Sequence, residues 1–328
     1  MDKNIIIRKI RLSDQYQLAD LYDRVWPEER GHHLEKTKWA ISSSEHTGVC
    51  AVDGDRIIGS RSCFHTNVKY GGETVDCVQF GDSCVDSDYR GQGLFLKMNQ
   101  AFLADFYRTG DELIYNVSVD ASRRAYEKLG WVYLDSLSKL IKIVRPLSFI
   151  RKTKGDIRLL SGNPSFDPAE APDLSVIPED LLKVRQSLMT EAGLLFNDYD
   201  RKTLDWRMGS GSDIRLFHYP GVGSCCYKVG TKNGLRCCIV GEVFLYDYSF
   251  RNLKKVMRKL MKGADFDLME TVVSHAHPMY RWFRRMGFLV NPAKVYLNFG
   301  VKARSDRMKE ISLNPENWAL CNMDIDTF

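Results

Sequence analysis

The stretch VDCVQFGDSCVDSDYRGQGLFLKMNQAFLADF, Val75 to Phe106, leaves the chain few local options. Val75 to Val85 is an apolar, β-branched run that reads as a strand, and Leu94, Met98, Ala101 and Phe102 then repeat at helical spacing. Tyr89-Arg90-Gly91-Gln92-Gly93 joins the two. Glycines there let backbone amides turn inward with no Cβ in the way, and a helix N-terminus adds roughly half a positive charge. Such a turn is suited to a phosphate. The sequence holds no GxxxxGK[ST] and no GxGxxG, which excludes a nucleoside-triphosphatase loop and a dinucleotide fingerprint.

A second segment follows at short range. Leu113 to Val119 reads as a strand, and Asp120 caps a helix from Ala121 to Leu129 that stops at Gly130-Trp131. Arg90-x-x-Gly93-x-Phe95 resembles motif A of the GNAT superfamily of acyl-CoA-dependent N-acyltransferases, Arg/Gln-x-x-Gly-x-Gly/Ala, with Phe95 where Gly or Ala is usual. NVSVDASRRAYEKLGW, Asn116 to Trp131, resembles motif B.

The resemblance implies a mixed-sheet α/β (α+β) fold, acyl-CoA as co-substrate and no metal. It assigns the CoA pyrophosphate to the turn Arg90, Gly91, Gln92, Gly93, Leu94 and Phe95, and Asn116 to the cofactor side. An amide near Cys84 or Val85 polarises the thioester carbonyl, and Tyr126 protonates the departing thiolate. The family's base stands on the central strand near Gln79, which cannot act as one, so the nearest carboxylate on that strand, Asp82, is the expected base. Asp86 reads as a turn residue, and Cys84 as a buried structural thiol, since direct transfer needs no nucleophile.

Length and composition fit this reading. A chain of 328 residues accommodates two domains, and 44% hydrophobic with 27% charged residues is globular composition. A net charge of +5 suits a polyanionic co-substrate without requiring nucleic acid. Nine scattered cysteines show no CxxC or Cys/His spacing for zinc, so they read as reduced and buried. The first residues lack a signal-peptide pattern and no apolar run spans a bilayer, which together predict a cytoplasmic location.

Read in order, residues 1–148 supply the elements of a complete GNAT domain, with Val132 to Val144 as its long last strand. His33 lies where the resembled fold borders the acceptor pocket, although a solvated surface histidine fits as well. Residues 149–328 begin with a strand at Ile157 to Leu160 and then repeat the order of elements as a degenerate GNAT-like domain on the acceptor side. RRMGF echoes EKLGW; with Gly287 set against Gly130, Phe283 faces Tyr126, and Tyr246 to Phe250 replaces the glycine turn. One acyl-CoA site per chain follows.

The tail NWALCNMDIDTF resembles that of tandem acyltransferases from bacterial surface-polysaccharide clusters. If extended, it would point Asp324 and Asp326 the same way, toward an ammonium or sugar hydroxyls. The acceptor this implies is a small amine, foremost a nucleotide-linked amino sugar. An antibiotic, a polyamine or a protein lysine are the other acceptors, and an acyl-CoA-binding module without turnover is the reading from another class.

Overall fold

A computed structural model describes residues 5–27, 33–34, 37, 41, 48–109, 113–209, 212–263, 265–293 and 297–325. The chain begins β1 (Ile5–Lys9), α1 (Gln15–Val25), β2 (Gly48–Asp53), β3 (Arg56–Tyr70), β4 (Glu73–Val85), α2 (Leu94–Thr109), β5 (Leu113–Ser118), α3 (Asp120–Lys128) and β6 (Val132–Leu134). It continues with β7 (Leu137–Ile143), α4 (Pro146–Thr153), β8 (Ser165–Phe166), α5 (Glu179–Glu191), β9 (Phe196–Asn197), α6 (Arg201–Met208), β10 (Arg215–Tyr219), β11 (Gly223–Lys232) and β12 (Leu235–Leu245). The last elements are α7 (Phe250–Lys262), β13 (Leu268–Ser274), α8 (Tyr280–Arg285), β14 (Leu289–Val290), β15 (Asn298–Ala303) and α9 (Asp306–Ser312).

Two mixed sheets result, which makes the fold α/β. The first has the order β1-β2-β3-β4-β5-β15-β6 with β9 on β3, and the second β10-β11-β12-β13-β7-β14 with β8 on β11. In the first sheet α2 buries Leu94, Met98, Phe102 and Phe106 in one core with Val78, Phe80 and Tyr126. Each such side chain gains about 1.5–3 kcal/mol on leaving water. A separate core gathers Leu18, Leu21 and Tyr22 of α1 with Ile57 and Cys84.

The sheets exchange a strand. The expected long strand from 132 to 144 is broken at Asp135-Ser136, whose Ser136 carbonyl accepts the His275 amide, and its second part joins the second sheet as β7. The equivalent place in the first sheet, beside β5, is taken by β15 from near the chain's end. The two compact units are accordingly discontinuous: 1–67, 75–133 and 300–310 form one, and 68–74, 134–299 and 311–328 the other. Each exchanged strand also donates a lysine to a helix end. Lys302 of β15 bonds the Leu129 carbonyl after α3 at 2.9 Å, and Lys142 of β7 bonds the Met286 carbonyl after α8. Cations at helix C-termini are favourable there.

The duplication is visible in these same helix ends. Trp131 N–H bonds the Tyr126 carbonyl and Phe288 N–H the Phe283 carbonyl, with Gly130 and Gly287 at φ +78° and +87°. Phe283 thus does stand where Tyr126 stands. One expectation fails nearby: Ile157–Leu160 is a 3-10 turn and not a strand, because the Asp156 carboxylate caps it through the Arg158 amide.

Candidate active site

In the first sheet β4 and β5 run parallel but pair only at Cys77, Val78 and Gln79 against Leu113, Ile114 and Tyr115. Beyond that β4 continues to Val85 and β5 to Ser118, so the strands part into a wedge. Asp82 sits on the diverging part of β4 with φ +38°, a left-handed conformation uncommon for a residue with a side chain. β12 and β13 part in the same way after Val240 and Thr271.

At the end of β4 the chain is pinned by Asp86. Its carboxylate is buried and meets Arg24 Nε at 2.9 Å, Arg56 Nη2 at 2.7 Å and the Asp88 amide at 3.3 Å. Burial pushes the Asp86 acid upward, but the Arg24 and Asp88 hydrogen bonds and the charges of Arg24 and Arg56 outweigh it and hold it below the usual carboxylate range. It is the turn anchor the sequence suggests. The chain then passes Gly91 and Gly93 at φ +79° and +72° into α2, whose first loop bond is Lys97 N–H to the Gly93 carbonyl. Among the described residues no acceptor meets the amides of residues 91–96. Residues 90–93 are exposed, Leu94 is buried as the anchor of α2, and Phe95 turns its ring inward, edge-on to Tyr126 at 5.4 Å. A phenylalanine at that position therefore leaves the amides uncovered. Arg90 folds back, donating from Nε to the Val85 carbonyl at 3.1 Å.

Tyr126 is 3% exposed, in contact with Phe80, Phe95 and Trp131. Its hydroxyl accepts a hydrogen bond from Arg61 Nη1 at 2.6 Å. A phenol that accepts from a guanidinium still carries its own proton, and among the described residues that proton has no acceptor. Arg61 is the residue that sequence reasoning missed. It is 1% exposed, donates from Nη2 to the Gly81 and Ser62 carbonyls, and lies 4.1 Å over the Phe80 ring. No carboxylate pairs with it among the described residues, and its Nε has no partner. A buried arginine is rare unless it is used or paired, but in sequence a single charge in an alternating strand looks solvated.

The remaining candidates separate. Asn116, just past the last β4–β5 pair, is buried with its Oδ1 unpartnered, and β15 approaches it so closely that a Cβ on Gly300 would lie 2.7 Å from that oxygen. Asp82 lines a small cavity with Leu18, Tyr22, Ile41, Ser62 and Cys63, on the α1 side of the sheet, whereas Tyr126 belongs to the α2 core. No hydrogen bond joins Asp82 to Tyr126. Cys84 is buried in the α1 core, and burial, then the Asp82 charge, pushes its thiol well up, which is inert chemistry for a nucleophile. His33 is buried against Tyr22 and Trp26 with Nε2 3.3 Å from the Trp26 carbonyl, so it is packed and not the solvated surface residue the sequence allowed.

The tail is a correction. Asp324 is 2% exposed in a 3-10 turn, Asn322–Asp324, and its carboxylate accepts from the Tyr199 hydroxyl, from Asn197 Nδ2 at 2.9 Å and from the Cys321 amide at 2.7 Å. These partners hold Asp324 inward, so the tail is not extended as the sequence suggested, and Asp326 lies outside the described residues. The tail fills the second wedge. Cys321 bridges to Val273 of β13, Leu320 accepts the Ser274 amide at 2.9 Å, and Asn322 Nδ2 reaches the Val240 carbonyl of β12 at 2.7 Å. Beneath it, Glu242 of β12 is paired with Arg185 at 2.8 Å. The first wedge contains no comparable bridge among the described residues.

Residues 6–134 match the family model for an acetyltransferase (GNAT) domain. That segment holds the glycine turn, the β4–β5 wedge and Tyr126. No protein of curated function matches the sequence significantly. Among solved structures, the fold is similar to a GCN5-related N-acetyltransferase from Kribbella flavida, with TM-score 0.62 and 12% identity over 92% of this chain and 71% of that one. It is also similar to a putative acetyltransferase from Pyrococcus horikoshii, with TM-score 0.57 and 12% identity over 93% of this chain and 91% of that one. N-myristoyltransferase of Saccharomyces cerevisiae, solved with bound myristoyl-CoA, matches with TM-score 0.60 and 12% identity over 93% and 80%. At such identity the likeness is one of fold, and it extends across both sheets.

Proposed function

We propose that this protein transfers an acyl group from acyl-CoA to the amine of a small acceptor, using the wedge and glycine turn of the first sheet. The reading rests on one observation above all: a run of unengaged amides, 91–96, at the start of a long helix and next to a sheet opening that the described backbone leaves unfilled. Those amides fit a pyrophosphate. Asn116, with an unpartnered buried oxygen beside the wedge, fits an N–H of the pantetheine arm. The acid is Tyr126, whose unclaimed proton passes to the thiolate as the C–S bond breaks; Arg61 holds the phenol oxygen so that this proton points elsewhere. Asp82 takes the ammonium proton from the α1 side, and amides near Cys84 and Val85 face the thioester carbonyl. Acid and base on opposite faces of the sheet suit attack across the wedge.

The acceptor we favour is a nucleotide-linked amino sugar, on the resemblance of the tail and not on any sugar-binding residue. The unit of residues 1–67, 75–133 and 300–310 would carry the chemistry, in place of a simple division at residue 148, and the other unit would shape the acceptor side. Mass spectrometry of incubations pairing several acyl-CoAs with amino-sugar nucleotides, polyamines and lysine peptides tests this, with free thiol measured in parallel. An acylated amine and stoichiometric thiol are expected, with coenzyme A binding once per chain by calorimetry. Coenzyme A binding without any acylated product would reduce the protein to a binding module.

A further inference from the structure

We propose that the exposed face of α7 and α8 docks on an anionic phospholipid bilayer. On α7, Arg251, Lys255, Arg258, Lys259 and Lys262 are all exposed. Their spacing puts them in one row along about 17 Å of helix. The opposite side, Leu253, Val256, Met257 and Leu260, is buried in the core, so the row has no freedom to turn inward. α8 adds Arg281, Arg284 and Arg285, also exposed.

Neither helix contains an acidic residue, and among the described residues none of these cations is in a salt bridge. The acids at the two ends of α7 are occupied. Asp247 accepts from Asn252, and Asp265 is paired with Arg145. The two helices form one charged face, because the Arg285 guanidinium lies 4.2 Å from the Phe250 ring that begins α7. Lys142 shows the crowding: burial, then the charge of Arg258, lowers its ammonium. Like charges four apart, as at Arg251 and Lys255 or Arg258 and Lys262, weaken a helix. A row that opposes its own fold is a surface built for an anion.

A bilayer fits better than a nucleic acid. The half-buried Phe250 ring is already attended by Lys254 Nζ at 5.6 Å and by Arg285, which takes away a platform for base stacking. Directly after α8, Leu289 and Val290 are 62% and 50% exposed. Apolar side chains beside a cationic face are what enters a headgroup boundary.

Co-sedimentation of the full chain with vesicles of equimolar phosphatidylcholine and phosphatidylserine, against phosphatidylcholine alone, tests this without reference to catalysis. Binding to the anionic vesicles only is expected, and it should vanish near 1 M salt, where screening acts over about 3 Å. Each cation near the surface contributes roughly fivefold, so the triple variant Lys255→Gln, Arg258→Gln, Lys259→Gln should bind roughly a hundredfold more weakly. These positions are exposed, and with the like-charge pairs relieved the variant should melt at or slightly above the parent. Leu289→Ser should weaken vesicle binding and leave heparin binding unchanged. No binding at low salt, equal binding by the triple variant, or a duplex RNA that displaces the protein from vesicles would each overturn the proposal, the last in favour of nucleic acid.

Discussion

Replacing Tyr126 by Phe removes one oxygen and leaves the ring among Phe80, Phe95 and Trp131, so the core keeps its shape. What is lost is the acceptor for Arg61 Nη1, a donor on a residue that is 1% exposed and already has one unpartnered nitrogen. An orphaned buried donor costs about 1–3 kcal/mol, toward the upper end when it is charged. At roughly 2–4 °C per kcal/mol for a unit of this size, the melting temperature should fall by about 5–10 °C. Activity should fall as well. A thiol with a pKa near ~8.5 is a moderate leaving group, so the loss belongs at the low end of acid catalysis, about a hundredfold in kcat. KM for acyl-CoA should hold, because the diphosphate is assigned to separate amides. Thiol release measured at 25 °C, where the variant is folded, separates the two effects. Unchanged kcat in Tyr126→Phe would refute the acid role, and an unchanged melting temperature would refute the account of Arg61.

Gly93→Ala should raise KM for acyl-CoA about tenfold with little change in kcat: the added methyl meets no neighbour, and φ +72° costs about 1–2 kcal/mol in any residue with a Cβ. Asp86, depressed in the folded state, contributes stability above the unfolded carboxylate range and loses it as pH falls through its folded value. Asp86→Asn should therefore flatten the decline of the urea midpoint below about pH 4, and a decline as steep as in the parent would count against the anchor. Glu242 is held at about 2, since the Arg185 charge and His277 outweigh its burial, so Glu242→Gln strands a buried guanidinium. A loss of about 3–5 kcal/mol is expected in chemical denaturation, and a loss below 1 would contradict a buried pair.

Local features were legible before any coordinates. Gly91 and Gly93 announce a turn because only glycine takes positive φ without strain, and Leu94, Met98 and Phe102 announce a helix because its period is fixed by backbone geometry. The repeated helix end at Gly130 and Gly287 follows from the same local rule, and the nine cysteines are free and buried, as their apolar surroundings suggest.

What the sequence alone determined was the strand, glycine turn and helix from Val75 to Phe106 and the repeated helix ends at Gly130 and Gly287, whereas Ile157–Leu160 and the break at Asp135-Ser136 were not legible in it. Only the tertiary structure decided which sheet a strand joins, since Leu137–Ile143 and Asn298–Ala303 carry apolar faces that either sheet could bury, and backbone pairing is indifferent to side-chain identity. It alone brought Arg61 to Tyr126 across 65 residues. It also sent Asp324 inward to Tyr199, because burial is settled by distant partners that no short window of sequence contains.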